Sequence, residues 1–386
     1  MRLVLEDLGA TAIKIGQICS TRPDVFAPEY IAELSRLQDA APPEPPAVIA
    51  SVITRELGGS PASVFASFDP EPIAAASIGQ AHAAVLADGT PVVVKVRRPG
   101  VVAQVDVDLD IIDHTARVIA RLSRAARRYD LLGLTRQFAT TLRAELDYLV
   151  EAANAARFAT NFAGTRAVHI PRVYAEQTTH RVITLERCFG TKPDDLDGLA
   201  RAGIDLPDLA QRCSDVMLTM IFEHGFFHAD PHAGNFFIEP DGTVGLIDFG
   251  MVGALHDATR SALAHLMAAV ATADVDQLAD AALTLGMTTG PIDRAALLHD
   301  LDALVRTHLD RPLGDLKVGE LLVDVMGTMR RHRLRLPVDL ALLAKTFAMS
   351  EGLAARLDPD FRMAPAVLVH VQRFFVELAQ RTGEAA

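Results

Sequence analysis

The stretch that most limits what this chain can fold into is His228-Ala229-Asp230-Pro231-His232-Ala233-Gly234-Asn235, followed by Leu246-Ile247-Asp248-Phe249-Gly250. Between them lie Phe236-Phe237-Ile238, a turn at Asp241-Gly242 and Val244-Gly245-Leu246-Ile247. An Asp-Gly pair between apolar runs is a strong hairpin signal, and such a hairpin folds Asp248 back beside Asp230 and Asn235. The fold must therefore bring two carboxylates and an amide oxygen to one place. One carboxylate can orient or deprotonate an acceptor, while the amide oxygen and the second carboxylate hold Mg2+ on phosphates.

An isolated Asp-Phe-Gly is ordinarily a turn. With an Asp, an Asn five residues later and an intervening hairpin, it has the spacing of a kinase-type site that transfers phosphoryl groups from ATP. Upstream, Lys95 ends the strand-like run Val92-Val93-Val94-Lys95, where a kinase carries the lysine that contacts the α- and β-phosphates. That lysine needs a carboxylate on a nearby helix, and Glu151 is the candidate. The preceding loop, Ala74-Ala75-Ala76-Ser77-Ile78-Gly79-Gln80, lies where a kinase has its glycine-rich loop. It carries alanine where glycine would let backbone approach phosphate closely. Ala229 replaces the arginine of His-Arg-Asp, and a helical pattern from Ala258 leaves no room for a peptide-docking segment. Phosphorylation of peptides is not expected. A rival zinc reading of His224, His228 and His232 requires a helix, which Gly225 and Pro231 interrupt.

The wider pattern predicts an α+β chain in two lobes. Residues 3–39 read as helical, a proline-rich joint follows at residues 42–46, and residues 47–57 read as a short helix ending at Gly58-Gly59. Strands are predicted at 82–87, 92–96, 168–175 and 180–186, with one long helix from about 100 to 160 and a mainly helical remainder. The divisions expected are 1–67, an N-terminal helical extension; 68–186, a small lobe; and 187–386, a large lobe. With 386 residues, half of them hydrophobic, the chain has material for a sizeable core. A net charge of −12 argues against a general nucleic-acid binder. Cys19, Cys188 and Cys213 form no Cys-x-x-Cys and suit a reduced, cytoplasmic compartment. Neither a signal peptide nor an apolar run of membrane-spanning length is evident. Arg117, Arg121, Arg124 and Arg128, and the cluster from Arg330 to Arg335, could hold the protein peripherally to an anionic membrane; a solvated face with local acidic partners is the competing explanation.

Together with Lys14-Ile15-Gly16-Gln17, these motifs resemble the UbiB family of atypical kinase-like ATPases, also called the AarF or Abc-one family, over nearly the whole chain. The resemblance implies a bilobal protein-kinase-like fold with ATP and Mg2+ as cofactors. Lys95 and Glu151 would be the phosphate-orienting pair, Asp230 the catalytic-loop aspartate, and Asn235 and Asp248 the metal ligands. Glu186, Arg187 and Cys188 would form the hinge whose backbone binds adenine. The Lys-x-Gly-Gln helix would cover the site, setting Lys14, Gly16 and Gln17 against Glu145 and Asp147. The family is associated with isoprenoid quinone (ubiquinone-type) biosynthesis, which makes quinone-synthesis proteins the expected partners. The expected activity is a slow, regulated ATPase supporting isoprenoid quinone synthesis or lipid homeostasis. Two rivals are a small-molecule kinase of the aminoglycoside or choline phosphotransferase kind, and a pseudokinase scaffold without turnover.

Overall fold

Proline sets the first boundary. Pro45 and Pro46 fix an extended entry into a helix whose first position tolerates proline, and Gly58, left-handed at φ 74°, ends it. The computed structural model describes residues 2–20, 28–34, 37, 41–123, 131–288, 290–309, 315–335 and 338–383. In chain order these form α1 (Arg2–Leu8), α2 (Ala10–Ser20), α3 (Pro28–Leu34), α4 (Pro46–Leu57), α5 (Pro61–Val64), β1 (Ser67–Ala75), β2 (Gly79–Val85), β3 (Pro91–Arg97) and α6 (Val101–Leu122). Then come α7 (Leu131–Glu145), α8 (Tyr148–Asn161), β4 (Val168–His169), β5 (Val182–Glu186), α9 (Leu196–Arg201), α10 (Leu206–Phe222), β6 (Phe226–His228), β7 (Phe236–Ile238), β8 (Val244–Leu246) and β9 (Val252–Ala254). The rest is α11 (Asp257–Ala271), α12 (Val275–Leu285), β10 (Met287–Thr288), α13 (Arg294–Leu309), α14 (Val318–Arg331), β11 (Leu334–Arg335), α15 (Val338–Leu357) and α16 (Met363–Gly383).

The small lobe is an antiparallel sheet in the order β1-β2-β3-β5. Successive strand side chains point to opposite faces. Val92, Val94 and Val96 are fully buried against Ile49, Val52 and Ile53 of α4, so Lys95 is left on the other face. That alternation aims the lysine at the cleft. Packing thus ties α4, within the residues expected to form the extension, to the sheet's core.

The long helix expected over 100–160 is three helices among the described residues. Its last break has a local cause. Asp147 is extended, and its carboxylate accepts the Leu149 N–H as an N-cap. The chain thereby restarts as α8, with Tyr148 packed beneath Ile183 and Leu185 of β5. The strand expected at 168–175 is only β4, paired in parallel with β8 of the predicted hairpin.

The large lobe buries one contiguous core contributed by α10, α11, α12, α14, α15 and α16. Phe158 and Phe162, near the end of α8, belong to it. One helix thus presents Glu151 to the small lobe and Phe158 to the large one, and the cleft between the lobes holds the motif residues.

Candidate functional site

Lys95 Nζ donates to Glu151 Oε1 at 2.5 Å and lies 3.6 Å from Asp248 Oδ2. Burial opposes the lysine's charge, but Asp248 and Glu151 outweigh it and raise its pKa, so Lys95 stays an ammonium. The Asp248 carboxyl is pulled down to about 2, chiefly by Lys95, with the Gly250 N–H assisting against burial. Asp248 has a φ of 62°, a left-handed conformation that costs a non-glycine residue energy and tends to persist only where surroundings enforce it.

His228 supplies much of that enforcement. Its Nε2 donates to the Asp248 carbonyl at 2.7 Å, while Nδ1 accepts the Asp230 N–H at 3.2 Å. These partners assign the neutral tautomer with the proton on Nε2, and burial lowers the imidazole pKa accordingly. One buried ring bolts the Asp230 loop to the Asp-Phe-Gly turn.

From the other side, α8 grips Phe249. Glu151, Asn154 and Phe158 share a helix face at i, i+3 and i+7. Glu151 Oε1 accepts the Phe249 N–H at 3.4 Å, and Asn154 Nδ2 donates to the Phe249 carbonyl at 2.9 Å. The Phe158 and Phe249 rings lie 5.2 Å apart. Asn154 and Phe158 were not among the predicted site residues, although helical spacing from Glu151 points to both.

Asp230 and Asn235 are linked through the loop itself. Asn235 Nδ2 donates to the Asp230 carbonyl at 3.0 Å, which leaves the amide oxygen for another partner. Asp230 Oδ1 accepts Lys345 Nζ at 2.9 Å, a contact the sequence reading missed. Burial opposes ionisation of Asp230, but Lys345 outweighs it and the carboxyl pKa falls.

In the alanine-rich segment, Ala74 and Ala75 pair with Ala81 and Gln80, and Ala76, Ser77 and Ile78 make the turn into Gly79. Arg98 straps this turn down. Its N–H donates to Ile78 O at 2.9 Å and its Nε to Ala76 O at 2.8 Å, while the guanidinium reaches Pro42 O at 2.6 Å and Glu44 Oε1 at 2.9 Å. Gln80 Oε1 accepts the Glu44 N–H. A Cβ on Gly79 would stand 2.2 Å from Tyr148 Oη and 2.9 Å from Val96 O, so glycine is required there by close approach. The tip is tied to the proline joint.

In the N-terminal extension, Lys14 Nζ lies 3.1 Å from Glu145 Oε2, with both side chains largely buried. The remaining predicted contacts differ. Gln17 Nε2 donates to Leu37 O at 3.4 Å, and Asp147 caps α8 and receives His180 Nδ1 at 2.9 Å, so its carboxylate is committed locally. Gly16 is a packing glycine: an added Cβ would meet Leu37 Cδ1 at 2.1 Å.

At the predicted hinge, the Glu186 N–H donates to Arg172 O and the Arg187 N–H to Pro91 O. Among the described hydrogen bonds, the Cys188 backbone N–H makes none, unlike the other two; burial pushes its thiol up to about 12. His224 packs edge-on against Phe162. Among the described residues, no three His, Cys, Asp or Glu side chains gather to hold a metal, and the histidine triplet is split by β6. Arg117 pairs with Asp113, and Arg331 and His332 share Asp300; Arg124, Arg128 and residues 21–24 lie outside the described residues. Among those described, no helix is long and apolar enough to cross a membrane.

Residues 36–282 match the ABC1 atypical kinase-like domain and residues 301–362 the UbiB helical domain. A protein named probable protein kinase UbiB from Azotobacter vinelandii is 37% identical over 93% of this chain and 68% of its own length. An uncharacterized Synechocystis protein is 36% identical over 92% of this chain and 61% of its own length. The chain thus spans roughly two thirds of these curated relatives or less. Among solved structures, Rv3197 of Mycobacterium tuberculosis in complex with erythromycin superposes with a TM-score of 0.64 at 26% identity, covering 92% of this chain and 90% of that one. The bilobal kinase-like fold is therefore shared.

Proposed function

Since the chain belongs to the ABC1/UbiB family of atypical kinase-like proteins, we propose that it binds Mg2+–ATP in the cleft between its lobes and hydrolyses it slowly, in support of isoprenoid quinone synthesis. The observation that carries this reading is the assembled cluster of Lys95, Glu151 and Asp248, with Phe249 buried and held by Glu151 and Asn154. Kinase-type phosphoryl transfer needs both the lysine–glutamate pair and the Asp-Phe-Gly aspartate in place.

The residues fit the cofactor. Mg2+ takes hard oxygen ligands, and one or two from protein suffice when phosphates supply others. Asn235 has its amide nitrogen engaged and its oxygen available, and Asp248 is ionised; these two would hold the ion, which would neutralise charge on the phosphates. Lys95 would orient the α- and β-phosphates. The Cys188 N–H is suited to the adenine edge. Asp230 would orient a water: as the water oxygen bonds to the γ-phosphorus, the bond to ADP breaks and the water proton leaves by way of the carboxylate. Ala229 in place of arginine and the strapped tip at Ala76–Ile78 favour hydrolysis over transfer to a peptide.

A peripheral contact with anionic membrane is part of the same proposal. Val107, Ile111, Val118 and Leu122 stand exposed on one face of α6, beside Arg117. Flotation with vesicles of neutral and of anionic lipid tests it, and equal recovery would remove it.

The nucleotide site is tested by thermal unfolding with and without Mg2+–ATP. A ligand that binds only the native state adds about 2.7 kcal/mol at a hundred times its Kd, a shift of several degrees. No shift with any adenine nucleotide, with or without metal, would sink the reading. Label from ATP appearing on a soluble metabolite rather than as free phosphate would replace it with the small-molecule kinase.

A further inference from the structure

Resting on that nucleotide-cleavage reading, we propose that Lys345 is a positioning residue of the transfer site, and that the ABC1 segment is functionally incomplete without the UbiB helical segment that delivers it. The loop from His228 to Asn235 contains neither lysine nor arginine. Phosphoryl transfer depends on fixed positive charge and on a fixed orientation of the nucleophile-binding carboxylate. Here both come from 115 residues away: Lys345 Nζ sits 2.9 Å from Asp230 Oδ1.

The placement is over-determined by packing. On α15 the next residue, Thr346, is fully buried and donates Oγ1 to the His228 carbonyl at 3.5 Å. Leu343, Ala344 and Phe347 are buried in the large-lobe core. Two consecutive residues of one helix therefore reach two positions of the catalytic loop, and the lysine cannot swing away by moving its backbone. With Oδ1 bonded to Lys345, the other oxygen of Asp230 is Oδ2, which lies 3.7 Å from His232 Nε2. Lys345 thus selects which carboxylate oxygen faces an acceptor.

A purely structural ion pair is the competing explanation. Lys345 and Asp230 retain 18% and 33% exposure of their side chains, and partly exposed pairs contribute little to stability. Lys345 also falls outside the ABC1 match, at residues 36–282, and inside the UbiB helical match, at 301–362. The two segments meet at the reacting centre.

The test compares ATP turnover and Mg2+–ATP thermal shifts of the full chain as wild type, Lys345→Met and Lys345→Arg. A positioning role predicts that Lys345→Met folds and keeps its nucleotide shift, holds KM for ATP within about threefold and loses kcat by about tenfold or more, a loss confined to the transition state. Lys345→Arg restores much of that loss. Wild-type kcat in Lys345→Met overturns the proposal. So does a lost nucleotide shift that arginine fails to restore, which would mark a structural role only. Should Lys345→Met not fold, Lys345→Gln replaces it with the same two outcomes. A wild type with neither shift nor turnover would instead overturn the nucleotide site itself.

Discussion

Lys95–Glu151 and Lys345–Asp230 bracket the cleft from opposite lobes, and they are built differently. The first joins β3 to α8, its glutamate 6% exposed and also bonded to the Phe249 N–H. The second joins α15 to the His228–Asn235 loop, its aspartate one third exposed. Losing a partner in low dielectric strands a charge, whereas water rescues a charge at a cleft wall. The small-lobe pair should therefore serve architecture and chemistry together, and the large-lobe pair chemistry alone.

The sharpest way to break that contrast is a pair of truncations. Lys95→Met should cost about 3 kcal/mol, because Glu151 remains buried without its cation, while Lys345→Met should cost about 1 kcal/mol or less. Equal losses in calorimetric unfolding would erase the distinction. Next, Gly16→Ala forces a methyl against Leu37 Cδ1; overpacking of this kind costs about 2 kcal/mol. Its expected signature is faster limited proteolysis of α2, with the rest of the chain keeping its protection. Asn154→Ala removes the donor to the Phe249 carbonyl and should lower stability by about 1 kcal/mol, read from denaturant midpoints.

The smallest effect concerns pH, at the back of the large lobe. His370 on α16 is buried between Asp215 and Glu223. Burial would lower its pKa, but the two carboxylates outweigh that and raise it above 6.5. A raised folded pKa contributes stability that is complete below 6.5 and lost as pH rises through the folded value. Wild type should lose stability over that window, and His370→Gln should show a flatter profile; identical slopes would remove the effect.

The same contrast governs what the sequence reveals. Lys95, Asp230, Asn235 and Asp248 are legible because strand alternation and hairpin spacing are local, and Glu151 follows from the need for a carboxylate. Lys345 is not legible. It lies in the leucine-rich helix Ala341-Leu342-Leu343-Ala344-Lys345, where its meaning comes from a partner 115 positions away. The family resemblance sets Asp147, with Glu145, against Lys14. Yet an Asp before Tyr148-Leu149-Val150 is also an N-cap signal, and the local bond to Leu149 prevailed. That α4 fills the sheet's core is not legible either, because composition does not show which surface a short apolar helix covers.

The most direct test of the whole account is ATP turnover measured against Mg2+ concentration in wild type and Asp248→Asn. Slow phosphate release that rises with Mg2+ is expected in wild type, and loss of about a hundredfold or more in a variant that still folds, since the carboxylate proposed to hold the metal is gone. Equal, Mg2+-independent rates in the two proteins would contradict it.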